Sequence, residues 1–344
     1  MADVFDYDAE GDVSEFFGPY IQSGNLNFII GSGASVPAIS TMGSLEADLN
    51  ELLVLDGAEE ADKKCVDFIE EIDALHTQIT AGTAEQEVET VVANYRSFLT
   101  SVDRILFRRK STLLPRQATI FTTNYDLFLE HASGFVPAII LNDGFDRSSS
   151  LSSEFMFTPE RYFDRTYRSG PIYSHQTEIP TINLVKLHGS LSWRRRSDTI
   201  VFDPVPVAAL SADEKDDPAA VKAYLEKHFL ILPTLMKHHA TVMERIYYDL
   251  LRLFSKALDY ENTVLISFGF SFADDHILDL TRRSLRNPTS QLIIVSYDHA
   301  SSAGYEARFS EQRNVTVVRP PQGTTIDFPS FASILDTVLP ANAD

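Results

Sequence analysis

One cysteine, Cys65, is all that 344 residues contain, which excludes a disulfide framework and a four-cysteine zinc ribbon. A reducing cytoplasm is the expected location. Long apolar runs are missing as well. No stretch approaches the roughly 20 apolar residues of a membrane span, and residues 1–15 are acidic, without the apolar centre of a signal peptide. The expectation is a protein neither exported nor embedded in a membrane. Basic side chains are scarce at one end: of 49 acidic and 29 basic residues, positions 1–90 hold 20 and 2, so most of the net charge of −20 lies there. A polyanion would be repelled by that quarter, so no direct nucleic-acid binding is expected. Its acidity reads as a solvated helical surface or as a docking face for a basic partner.

The chain is organised around residues 27–35, Asn-Phe-Ile-Ile-Gly-Ser-Gly-Ala-Ser. Phe28, Ile29 and Ile30 form the short apolar run of a strand buried on both faces of a parallel sheet. Gly31 and Gly33 then permit a turn that brings backbone N–H groups close to a ligand such as a phosphate. The pattern is half of a dinucleotide-binding fingerprint, with Val36 where a third glycine would stand. A plain strand-to-loop turn explains it equally well.

Further buried strands are predicted over 118–121, 182–187, 263–268, 291–296 and 315–318, the first four of them followed by the stretches Thr122-Thr123-Asn124-Tyr125-Asp126, His188-Gly189-Ser190, Gly269-Phe270-Ser271-Phe272-Ala273-Asp274-Asp275 and Tyr297-Asp298. Helical spacing predicts helices over 13–21, broken at Gly18-Pro19, over 61–80 and 84–106, over 219–260, from His276 to Leu285 and over 328–339, with one from a Ser44 cap carrying Leu45, Leu49, Leu52 and Leu53. Strands separated by helices, with polar carboxyl ends, indicate an α/β fold: a doubly wound, parallel, Rossmann-like sheet with large helical insertions and no zinc ribbon. Residues 1–344 read as a single domain, with an acidic helical insertion at 44–110 and further insertions at 142–180, taken as irregular, and 194–260. Residues 211–218 read as a charged linker, Cys65 and Trp193 as packing, His276 as a helix start, and Arg194 to Arg196 as a solvated turn or a phosphate clamp. His238 and His239 are adjacent and point to different faces of a helix, so no metal site is expected there.

Five strand ends in this order, Gly-Ser-Gly-Ala-Ser, Thr-Thr-Asn-Tyr-Asp, Lys-Leu-His-Gly-Ser, Gly-Phe-Ser and Ser-Tyr-Asp, with Leu232-Pro233-Thr234 before the fourth, resemble the sirtuin-like family of NAD-consuming proteins over about residues 27–318. The likeness is to its bacterial antiphage-defence branch. The resemblance implies that Gly31, Ser32, Gly33, Ala34 and Ser35 cradle the NAD diphosphate. It makes Asn124 and His188 the catalytic asparagine and histidine and Asp126 the nicotinamide-side aspartate, with Thr123 beside them. It puts Gly269 and Ser271 near a phosphate or ribose, and Asp298 near the adenosine end. NAD is then a substrate and no metal is involved. These residue types suit cleavage of the nicotinamide bond: Asn124 both donates and accepts, His188 can act as a base, and Asp126 favours developing positive charge. Taken alone, His188 reads as a hydrogen-bonded structural histidine, and Asn124 and Asp126 as a helix cap and first-turn acid.

Deacylating sirtuins carry a zinc ribbon and an arginine after the glycine turn; here stand one cysteine and Val36-Pro37-Ala38-Ile39. The expectation is an NAD glycohydrolase (an NADase) yielding nicotinamide and ADP-ribose, a cytoplasmic effector of abortive infection that is held inactive until a phage attacks. The resemblance implies a homo-oligomer, with a HerA-type hexameric ATPase or an Argonaute-type nuclease as possible partner. The alternatives are an NAD-dependent protein deacylase or ADP-ribosyltransferase, and a non-catalytic sensor of NAD or ADP-ribose.

Overall fold

The computed structural model describes residues 2–7, 13–40, 45, 48–49, 51–52, 57–109, 113–147, 154–170, 173–196, 199–231 and 242–338. Ser44, Leu53, the Leu232-Pro233-Thr234 motif, His238 and His239 lie outside them. In chain order the strands are β1 (Asp3–Asp6), β2 (Asn25–Ile30), β3 (Gln117–Thr122), β4 (Ile140–Asn142), β5 (Phe155–Met156), β6 (Tyr167–Gly170), β7 (Tyr173–Glu178), β8 (Thr181–Lys186), β9 (Gly189–Arg196), β10 (Thr199–Phe202), β11 (His228–Leu230), β12 (Thr263–Phe268), β13 (Gln291–Val295) and β14 (Val315–Arg319).

Eight of these form one parallel sheet in the order β1-β14-β13-β12-β2-β3-β8-β4. Every residue of β3, β8 and β12 is buried, as strands covered on both faces of a parallel sheet are. Side chains alternate between two cores. Leu26, Phe28, Ile30, Ile120, Leu184 and Ile266 join the helices of the acidic insertion and the closing helix, while Ile29, Phe121, Val185 and Leu265 meet the other face. Phe28 packs edge-on to Phe98 at 5.2 Å and Phe121 to Phe254 at 4.9 Å, each buried ring contributing about 2–3 kcal/mol. From β2 the chain builds outward through β3 to β8, then returns to β12 on the other side of β2 and builds the opposite way. The carboxyl ends of β2 and β12 thus flank a topological switch point, where α/β sheets bind ligands.

The doubly wound parallel sheet is present as predicted, and several details differ. β1 and β4 extend it at both edges; β1 offers only Val4 and Phe5 as apolar signal. The first helix runs unbroken from Val13 to Ser23 with Pro19 inside. Gly18 has no Cβ to strike the proline ring, and burial of Val13, Phe17 and Ile21 holds the helix down. The 142–180 stretch is more regular than its composition suggests, since β6 and β7 pair as an antiparallel ribbon. Arg194 to Arg196 end a strand rather than forming a turn, and β11 interrupts the helix expected over 219–260, because 228–230 complete a four-stranded sheet β11-β9-β10-β5. Residues 212–215 of the linker form a helix capped by Ser211 and Glu214. Helices Ala58–Ala81 and Gln86–Arg108 lie within the 44–110 stretch, with Cys65 fully buried, and Trp193 packs against Phe145 and Phe157. Among the described residues no helix is long and apolar enough to cross a membrane.

Candidate active site

At the switch point the glycine turn and the loop after β12 meet backbone to backbone. Gly31 N–H donates to the Phe268 carbonyl and Gly33 N–H to that of Gly269. A Cβ on Gly31 would stand 2.3 Å from the Gly269 oxygen, and Gly269 itself has φ +63. The glycines are therefore required by contact between two loops. The Ala34 and Ser35 N–H groups donate back to Gly31 and Ser32, so four N–H groups assigned to a diphosphate are engaged within the protein in this conformation.

Ser35 lies 1% exposed beneath this turn. Its Oγ donates to Asp126 Oδ2 at 2.9 Å and stands 2.9 Å from the Tyr95 hydroxyl. Asn124, at the end of β3, donates through Nδ2 to the Gly31 carbonyl at 3.2 Å and to Ser35 Oγ at 3.2 Å, with Tyr95 Oη at 3.4 Å. A carbonyl can only accept, so Nδ2 must point inward. Asn124 Oδ1 is left buried with no hydrogen-bond partner among the described residues. Asp126 Oδ1 accepts from Phe128 N–H, which makes Asp126 part of the start of helix Phe128–Ser133 as well. Burial raises the Asp126 carboxyl above its ordinary value, opposed first by the positive charge of Lys186 and then by the Ser35 hydrogen bond.

Lys186, only 2% exposed, underlies the motif. It donates to the Asp126 carbonyl, to Ser190 Oγ at 3.1 Å and to Glu130 Oε1 at 2.9 Å. Burial raises Glu130 too, against the pull of Lys186. Across the turn, His76 Nε2 accepts the Leu127 N–H at 2.9 Å. Burial, then the nearby Lys186 charge, pushes His76 down to about 3, so it is neutral.

His188 follows β8, and its Nε2 lies 3.0 Å from Asp274 Oδ2. Asp274 caps helix Asp275–Ser284 through Ile277 N–H at 3.0 Å. Burial works to raise its carboxyl, but the bond from His188 and that charge hold it below the usual range. An ionised carboxylate only accepts, so Nε2 carries the hydrogen of this bond, leaving Nδ1 as the other ring nitrogen for proton transfer.

The structure thus joins Asn124, Asp126 and Ser35 directly. Thr123 is half-buried between β3 and Asn124, whose N–H donates to Thr122 Oγ1 at 3.0 Å. Ser271 is exposed and accepts from Ala273 N–H. Asp298 caps helix His299–Arg308, accepting from Ser301 N–H at 2.7 Å. Arg194 donates to the Val205 carbonyl and Arg196 pairs with Glu154, which removes two of the three arginines from the role of phosphate clamp. The sequence assigns no site role to Tyr95, His76, Lys186 or Asp274, although Asp274 stands in the run after 263–268 and Tyr95 in the apolar stripe of 84–106. The Lys-Leu-His-Gly-Ser motif hinted at one of them.

No curated protein matches the chain significantly. A family model described as a SIR2-like domain matches residues 118–318, more than half of the chain, from the second residue of β3 to the penultimate residue of β14. The glycine turn precedes that span, yet β2 pairs with β3 and β12 inside it. With its parallel sheet and the polar motifs on the carboxyl ends of its strands, the chain belongs to the SIR2-like domain family.

Proposed function

We propose that this SIR2-like protein is an NAD glycohydrolase: water replaces nicotinamide on the ribose, giving nicotinamide, ADP-ribose and a proton. The observation that carries the reading is the buried, unpartnered Asn124 Oδ1 at the switch point. It is a fixed acceptor for a ribose hydroxyl or for the attacking water, and leaving it unmet costs free energy that a ligand recovers. Nicotinamide in NAD is a cationic leaving group, so the site has mainly to hold the ribose and aim the water. His188 takes the water's proton on Nδ1 while Asp274 holds the ring. Buried Asp126, with Lys186 beneath it, supplies negative potential where positive charge develops.

The single cysteine supports water as acceptor, because the zinc ribbon that helps frame an acyl-lysine groove in deacylating sirtuins needs four. A role as a homo-oligomeric, cytoplasmic antiphage effector activated by a HerA-type ATPase is part of the same proposal, with exposed Glu59 and Glu60 on the acidic insertion as a docking face. Incubation with NAD, alone and with an acyl-lysine peptide, tests the chemistry. A hydrolase releases nicotinamide at the same rate in both, whereas a deacylase or transferase releases it only when an acceptor is added.

A further inference from the structure

The acidic insertion reaches the catalytic turn with side chains. Tyr95, fully buried on helix Gln86–Arg108, stacks on Phe128 at 5.7 Å and meets Phe328 edge-on at 4.9 Å. A ring held from two sides leaves its hydroxyl one position, 2.9 Å from Ser35 Oγ and 3.4 Å from Asn124 Nδ2. Packing alone would be served by phenylalanine, and a buried phenol that makes no hydrogen bond is costly. From helix Ala58–Ala81, His76 grips the Leu127 N–H on the other side of Asp126.

The protons can be assigned. Ser35 has one hydrogen and gives it to Asp126 Oδ2, so with Asp126 ionised Ser35 Oγ must accept from Tyr95. One Nδ2 hydrogen of Asn124 goes to the Gly31 carbonyl, and the other is shared between Ser35 and Tyr95. If the Tyr95 oxygen is removed, Ser35 loses one of its two donors, keeping Asn124 Nδ2, and Asn124 loses one of three acceptors. The amide is then held by the Gly31 carbonyl and Ser35 alone, which loosens the placement of Oδ1.

We propose that the acidic insertion is part of the catalytic site. Tyr95 is a positioning residue that, through Ser35, fixes Asn124 with Oδ1 toward the substrate, and His76 holds the turn behind it. The inference rests on Asn124 being the substrate-facing residue.

Tyr95→Phe, which deletes one oxygen and keeps the ring, is expected to lower kcat about tenfold or more with KM within about twofold. Ser35→Ala combined with it should lose no more than the worse single variant, as two residues of one network do. Val91→Ala removes packing from the same helix, where Val91 is fully buried, and should lower Tm without lowering kcat. A Tyr95→Phe enzyme within about twofold of the unaltered kcat, or losses that multiply in the double variant, would overturn the proposal. If the unaltered chain releases no nicotinamide, the hydrolase reading fails by itself. The positioning role is then read from the Asn124 side-chain amide resonances by NMR: displacement in Tyr95→Phe and Ser35→Ala but not in Val91→Ala supports it, and resonances unmoved in all three overturn it.

Discussion

His188 Nε2 lies 3.0 Å from Asp274 Oδ2, so the histidine after β8 is held by a carboxylate from the loop after β12, across the ends of β3 and β2. The two residues are 86 positions apart. Together they span the edge where the glycine turn and Asn124 stand.

Asp274→Asn should separate the two jobs of this residue. Asparagine caps a helix about as well as aspartate, so the bond to Ile277 N–H and the fold persist. The ring of His188 loses its anionic acceptor, and kcat should fall on the order of 10- to 100-fold. Because the His188 bond and charge hold the Asp274 carboxyl below the usual range against its burial, the acceptor is the ionised form at neutral pH. Steady-state kinetics beside a melting curve checks this.

His76 gives stability a pH dependence of known sign. The unfolded chain takes up a proton below 6.5 that the fold refuses until about 3. Stability from this group is therefore complete above 6.5 and is lost as pH falls through that window, at about 1.4 kcal/mol per unit. In His76→Gln, which keeps an acceptor for Leu127 and cannot charge, the urea midpoint should fall less than in the unaltered protein between about pH 8 and pH 4.5.

The buried pair of Lys186 and Glu130, 2.9 Å apart, predicts a specific non-additivity. Lys186→Met leaves Glu130 and Asp126 buried without their cation and should cost about 3–5 kcal/mol. Adding Glu130→Gln removes one stranded charge, so the double variant should be more stable than Lys186→Met alone. Denaturant titration of the unaltered protein, the Lys186→Met and Glu130→Gln single variants and the double variant measures the coupling.

Two glycines should respond oppositely to alanine. At Gly31 a Cβ would meet the backbone oxygen of Gly269 at 2.3 Å, and neither loop can yield without parting the switch point. Gly31→Ala should destabilise by roughly 1–3 kcal/mol and depress turnover. Gly304 lies in helix His299–Arg308 with nothing within 4 Å of a built Cβ, so Gly304→Ala should stabilise by about 0.5–1 kcal/mol. Thermal melts of both decide it.

The interior of the fold was legible in the sequence because fully buried parallel strands write themselves as apolar runs, as in Phe28-Ile29-Ile30 and Val264-Leu265-Ile266. The edges were not: β1 and β4 have one neighbour each, and β11 is three residues whose partner, β9, lies far back in the chain. The helix through Pro19 depended on a glycine before it and on burial, neither of which periodicity reports. In the site, the residues at strand ends stood out by position, as Asn124, Asp126 and His188 did. Those that hold them did not, since Tyr95 reaches Ser35 across 60 positions and His76 reaches Leu127 across 51. Tyr95 sits at a helix position indistinguishable from core, and only its hydroxyl's partners reveal the difference. Ser35, read as part of a phosphate cradle, is the buried junction of Asn124, Asp126 and Tyr95.

The most direct measurement is chromatography of purified protein incubated with NAD and no acceptor but water, beside Asn124→Ala and His188→Ala. The account predicts nicotinamide and free ADP-ribose in equal amounts from the unaltered chain and loss of both products in each variant. Release that persists in both variants, or nicotinamide without matching ADP-ribose, would contradict it.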